Sequence, residues 1–263
     1  MTKRVPILLY HVIGEAAEGT PEAFYAVTRA AFSEQMRYLA QRGCHTVSLE
    51  ALADWVEGRG SLPPRAVAIT FDDGDVTQHE AAVPILQEHG FQAMFFVTAA
   101  RVGEPGMMGW DDVRRVEAAG MAIGSHGLTH RLLTELTVDE VRWELAESKR
   151  LLETHVMRPV QWFAFPGGAW SSGMPPLVAE AGYRGAVTSD VGYVARGVAD
   201  RWWPRCVMRS TDNVSRLAEL LDAPAWFLWR ERMGQQALRA ARSVLGMQRY
   251  EALKRRLVRR SHA

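Results

Sequence analysis

The chain has 263 residues, a net charge of +1, 48% hydrophobic residues and 23% charged ones. That composition excludes wholesale disorder, and so small a net charge provides no general attraction to nucleic acid or to an acidic membrane. Two cysteines, Cys44 and Cys206, are too few for a disulfide framework and lack the paired spacing of a zinc ribbon.

Met1-Thr2-Lys3-Arg4 followed by Val5-Pro6-Ile7-Leu8-Leu9-Tyr10 resembles the charged start of a signal peptide. The apolar run is short, however, Pro6 interrupts it, and no small-residue cleavage site follows. The expectation is a buried strand over 5–10 in a protein that is not exported and stays in the cytoplasm. No segment approaches the roughly 20 apolar residues of a membrane-spanning helix.

Further strands are expected over 45–49, 66–71, 93–97, 121–124, 162–165, 185–188 and 206–208. Helical patterns lie between them. Phe32, Met36 and Leu39 form one apolar stripe, and Val83, Ile85 and Leu86 another. Thr137-Val138-Asp139-Glu140 has the form of a capping box, followed by Val141, Leu145, Ser148 and Leu152 on one helical face. Strands alternating with helices predict an α/β fold with parallel strands and right-handed crossovers. About eight units suggest a closed or nearly closed barrel, with a doubly wound open sheet as the alternative. Ser61–Arg65 reads as a rigid connector. Residues 1–223 are expected to form the domain. Residues 224–263, with ten Arg or Lys and two acids, are expected to form a basic helical extension.

Three clusters carry chemistry. Strand 66–71 runs into Asp72-Asp73-Gly74. Adjacent carboxylates disfavour each other's ionisation, and a cation relieves that cost. One can then bind the ion while the other serves as a base, unless the tripeptide is only a turn. After strand 121–124 comes Ser125-His126-Gly127-Leu128-Thr129-His130. Two imidazoles and one carboxylate with open positions are the donor set of a catalytic divalent site. Phe165-Pro166-Gly167-Gly168-Ala169-Trp170 breaks a strand into glycines whose exposed N–H groups suit an oxyanion, with Trp170 and Pro166 as candidate sugar contacts. A plain strand-to-turn reading of that segment stays open.

Together these clusters resemble the polysaccharide deacetylase family, also called the NodB-homology domain or carbohydrate esterase family 4. Its first motif is matched by Thr70-Phe71-Asp72-Asp73-Gly74 and its histidine pair by His126 and His130. The resemblance implies a distorted barrel of about seven β/α units, Asp72 as catalytic base, and Asp73, His126 and His130 as ligands of one divalent ion. Zinc is expected first, with iron, cobalt or nickel as alternatives.

The chain also departs from the family pattern. Ala164 stands where many members carry an arginine that orients the base, and Gly167 where they carry an aromatic beside the oxyanion amide. A late Leu-x-His motif is missing, whereas Leu8-Leu9-Tyr10-His11 ends the first strand. In this the chain resembles the poly-N-acetylglucosamine deacetylase branch, where an N-terminal histidine acts as general acid. The resemblance thus implies His11 as acid, the Gly167 amide as oxyanion donor and Arg205 as the replacement arginine. The expected activity is removal of N-acetyl groups from amino sugars of a polysaccharide or its precursor. Alternatives are a deacylase of a lipid-linked sugar, an O-acetyl esterase or an inactive glycan-binding protein. The expected partner is an N-acetylated glycan and no nucleic acid. Trp226, Phe227 and Trp229, followed by Lys254-Arg255-Arg256 and Arg259-Arg260, leave two readings open: a solvated helix packing its apolar residues on the barrel, or peripheral contact with the inner membrane.

Overall fold

A computed structural model of the protein describes residues 4–17, 20, 22–197, 202–222, 230, 233 and 234. The expected basic extension, 224–263, therefore lies almost wholly outside the described residues. Strand β1 (Arg4–Tyr10) pairs in parallel with β3 (Ala66–Phe71) on one side and β10 (Cys206–Val207) on the other. From β3 the parallel sheet continues through β4 (Met94–Val97), β5 (Ala122–Ser125), β6 (Trp162–Ala164), β7 (Gly185–Val187) and β9 (Trp202–Trp203). The last strand of this path, β9, and the first, β10, are joined by only Pro204 and Arg205. The sheet is thus a nearly closed barrel, as expected, and not an open doubly wound sheet.

Two short strands distort it. The two-residue β2 (His45–Thr46) pairs beside the start of β3, and β8 (Tyr193–Ala195) runs antiparallel to the start of β1, so the strands are mostly rather than wholly parallel. The expected strand over 45–49 stops early because Ser48 caps helix α2 (Leu49–Val56), its Oγ accepting from the Ala51 N–H at 3.1 Å. Strands β8 and β9 were not foreseen.

Alternation along the strands sorts the core into two sets. Val5, Ile7, Ala66, Ala68, Met94, Phe96, Trp162, Ala164, Val187 and Trp203 pack together, with Leu49, Leu52, Ala53 and Trp55 of α2. Their strand neighbours Leu8, Tyr10, Val67, Ile69, Phe71, Phe95, Phe163 and Ala186 pack with the other helices. Both faces are apolar, so the strands read as continuous apolar runs. Helix α1 (Arg29–Gln41) buries Phe32, Met36 and Leu39. A π-helical turn, Gln78–Ala82, leads into α3 (Val83–Glu88), which buries Val83, Ile85 and Leu86. After α4 (Trp110–Ala118), helix α5 (Val138–Val156) starts at the Thr137 capping box and buries Val141, Leu145, Ser148 and Leu152. Helices α6 (Met174–Glu180) and α7 (Val214–Asp222) complete the outer layer.

Candidate active site

Parity along β3 separates the two aspartates. Ala66 and Ala68 belong to the Val5–Ile7–Phe96 set, and Thr70 and Asp72 continue their alternation beyond the apolar layer. There Arg205, fully buried, meets them. Its two terminal nitrogens donate to Asp72 Oδ1 at 2.7 Å and Oδ2 at 2.6 Å. Nη1 also reaches Thr70 Oγ1 at 3.2 Å, and Nε donates to the Thr188 carbonyl at 2.9 Å. The guanidinium lies 5.6 Å from the centre of the Phe96 ring. Burial, the largest single influence, would raise the Asp72 carboxyl, but the Arg205 charge and hydrogen bonds together with the nearby His126 and His11 hold the group below its ordinary value. Arg205 reaches the site from the Pro204–Arg205 link between β9 and β10, a place that only barrel closure brings to Asp72. Ala164 is buried, and its carbonyl serves a different partner.

Asp73 turns the other way, at φ 77°, a left-handed conformation that costs a non-glycine residue of order 1–3 kcal/mol. Gly74 follows at φ 90°, passing close to Val97. The turn brings Asp73 Oδ1 to 3.3 Å from His126 Nε2 and 3.0 Å from His130 Nε2. His130 is also left-handed, at φ 64°. His126 Nδ1 donates to the Ala164 carbonyl at 2.9 Å, which anchors the ring with Nε2 turned towards Asp73. One donor atom from each of the three side chains lies within 4.8 Å of the other two. Two strained ligand backbones and one anchored imidazole suit a site for a divalent cation. Burial would raise the Asp73 carboxyl, yet hydrogen bonds from the two histidines hold it well below the usual carboxylate range.

His11 follows β1, and its ring stacks on Tyr25 at 4.7 Å between centroids. Its Nδ1 is buried and makes no hydrogen bond. Burial lowers its pKa, opposed by the negative charges of Asp73 and Asp72. The protonated ring is thereby a stronger acid, though a scarcer one. Gly167 is exposed at φ 59°, a left-handed conformation that any side chain at the position of the family's aromatic would adopt only with strain, and a Cβ there would displace the Leu132 methyl 2.7 Å away. The N–H groups of Gly168 and Ala169 bond back to the Phe165 and Pro166 carbonyls, while that of Gly167 meets no acceptor among the described residues. Trp170 is partly buried against Phe165, its Nε1 donating to Asp190 Oδ2 at 2.9 Å, which fixes the indole. Pro166, expected as a sugar contact, is instead buried, its Cγ facing Gly127 of the histidine loop; it supports that loop by packing.

Two residues in this region escaped the sequence reading. Glu144 of α5, 1% exposed, accepts from the N–H groups of Leu128 at 2.9 Å and Thr129 at 3.0 Å and from the Thr129 hydroxyl, so it holds the loop between the two histidines. Its signal was present: an acid falling between Val141, Leu145 and Ser148 on the apolar face. Gln78 is also fully buried, with no pattern to mark it.

A family model for polysaccharide deacetylases matches residues 59–186. Poly-beta-1,6-N-acetyl-D-glucosamine N-deacetylase of Staphylococcus aureus (strain MSSA476) is 24% identical over 213 residues, covering 75% of this chain and 72% of its own length. Among solved structures, IcaB from Ammonifex degensii is 25% identical with a TM-score of 0.74, covering 84% of this chain and 97% of that one. The Streptococcus pyogenes deacetylase PplD, solved with acetate, has a TM-score of 0.77 at 21% identity, over 84% of this chain and all of that one. Residues 59–186 therefore match a polysaccharide deacetylase domain, and the chain folds as the distorted, nearly closed barrel of these solved structures.

Proposed function

We propose that the protein is a metal-dependent hydrolase that removes N-acetyl groups from amino sugars of a polysaccharide or its precursor. The observation that carries this reading is the paired carboxylate: Asp72 clamped by Arg205, beside Asp73 converging with His126 and His130. A divalent ion held by Asp73, His126 and His130, with zinc the first choice, would supply Lewis acidity towards water and the acetyl carbonyl. Asp72 takes the proton of the attacking water, and Arg205 keeps the carboxylate ionised and fixed in direction. The Gly167 N–H donates to the carbonyl oxygen as negative charge develops on it. His11 gives a proton to the departing sugar nitrogen, and Trp170 forms an apolar wall for a sugar ring. Water, an N-acetyl amide and these groups yield acetate and a free amino sugar. Relatives named for poly-N-acetylglucosamine and the N-terminal His11 favour an exopolysaccharide substrate.

Acetate and free amine measured together on β-1,6-linked N-acetylglucosamine oligomers test the reading. Wild type should release them in equal amounts, and Asp72→Asn should lose on the order of 10²-fold or more in turnover. Acetate release by Asp72→Asn at the wild-type rate would place the base elsewhere.

A further inference from the structure

The parallel pairing of β1 and β3 ends at Tyr10 and Phe71, with one further bond from the Asp72 N–H to the Tyr10 carbonyl at 3.0 Å. Just past that point the strands part, and the carbonyls of His11 and Asp72 have no strand partner left. Backbone acceptors in such a position need donors from elsewhere. One side chain serves both. Gln78 Nε2 donates to the His11 carbonyl at 2.9 Å and to the Asp72 carbonyl at 2.5 Å, using both hydrogens of the amide. Two carbonyl acceptors fix which end of the amide is the nitrogen, and its Oε1 is left buried without a hydrogen bond. An orphaned buried acceptor is unfavourable, so the position is not simply filled by the side chain that packs best. Gln78 also opens the π-helical turn Gln78–Ala82, a widened helix that recurs at functional sites.

We infer that Gln78 is a positioning residue that ties the backbone of His11 to that of Asp72 and so sets the spacing between acid and base. The two residues follow different strands and share no hydrogen bond with each other among the described residues; the Gln78 amide adds one more rung where the ladder has ended. With the rung removed, His11 is the freer of the two, because Arg205 still holds Asp72 by its carboxylate. The reading rests on the roles proposed above for His11 and Asp72.

The test compares Gln78→Met, which keeps length and loses both donors, with His11→Ala, the double variant and Asp72→Asn. Each is assayed on N-acetylglucosamine oligomers and on 4-nitrophenyl acetate, whose leaving group needs no proton. Gln78→Met should lower kcat on the oligomer about 10- to 100-fold, with KM and bound metal close to wild type and a smaller loss on the ester. In the His11→Ala background the same change should cost much less, since the two act through one group. Equal losses on both substrates, or full additivity with His11→Ala, would reduce Gln78 to a structural residue and overturn the inference. If Asp72→Asn and His11→Ala themselves leave oligomer turnover intact, the functional reading fails first. If they cripple it while Gln78→Met does not, the inference alone fails. Should Gln78→Met not fold, Gln78→Asn, which withdraws the amide by one methylene, carries the same comparison.

Discussion

Arg205 and Asp72 are both removed from water, and each is costly there without the other. Their arrangement gives every guanidinium nitrogen a partner: two carboxylate oxygens, the Thr70 hydroxyl and the Thr188 carbonyl. Arg205→Met would leave a buried carboxylate uncompensated, and urea unfolding should show a loss of about 3–5 kcal/mol. Arg205→Lys should rescue little of it, because an ammonium cannot make two parallel bonds while also reaching Thr188. Combining Arg205→Met with Asp72→Asn should recover part of the loss, since the second change removes the stranded charge. Single and double variants as stable as wild type would mean that the pair is solvated in solution. The residues around this pair were unevenly legible. Asp72, Asp73, His126 and His130 stand in short motifs after strands, whereas Arg205 depends on where a two-residue link closes the barrel, which no local pattern encodes.

Helix α5 links the core to the histidine loop. Its Thr137 cap and its stripe of Val141, Leu145, Ser148 and Leu152 followed from spacing alone. On the same face Glu144 spends its carboxylate on two loop N–H groups and a hydroxyl, while Ser148 Oγ accepts from the Ser125 hydroxyl at 2.9 Å. The helix thereby presets the path from Ser125 to His130, including the strained His130 backbone. Glu144→Gln keeps the volume and an oxygen for the two N–H groups, but removes the charge and turns the oxygen that meets the Thr129 hydroxyl into a donor. Metal affinity should fall about 10- to 100-fold, the usual range for a lost outer partner of a ligand, as read by competition with a chromophoric chelator. Unchanged affinity in a folded Glu144→Gln protein would show that the loop holds its shape unaided. The strands that escaped sequence reading are short: β8 has three residues and β9 two. Periodicity needs a longer window, and α2 was hidden because its apolar residues continue those of the expected strand before it.

At the scale of the whole molecule, the C-terminal ends of β1, β3, β5 and β6 bring residues far apart in sequence to one rim, as a parallel barrel requires. His11, Asp72, Asp73, His126 and Gly167 all lie within a few residues of those strand ends. The barrel was legible because eight apolar runs alternate with helices. Its distortion was implied only by the family resemblance, and the antiparallel β8 was missed because its three residues carry no strand period. The segment around Asp212 is tied to the first strand by a buried polar chain: Tyr10 Oη donates to Gln35 Oε1 at 2.8 Å, and Gln35 Nε2 donates to the Asp212 carbonyl at 2.8 Å. The proposed dependence of this rim on a divalent ion can be tested on the intact protein. The measurement is acetate release from N-acetylglucosamine oligomers after chelator treatment, during titration with Zn²⁺, Co²⁺, Ni²⁺ or Fe²⁺. Activity should vanish on chelation and return at about one equivalent of ion, the stoichiometry of a single site with three protein ligands. His126→Ala should recover little at that stoichiometry. Full turnover by the chelated protein, or equal recovery by His126→Ala, would contradict a reaction built on Asp73, His126 and His130.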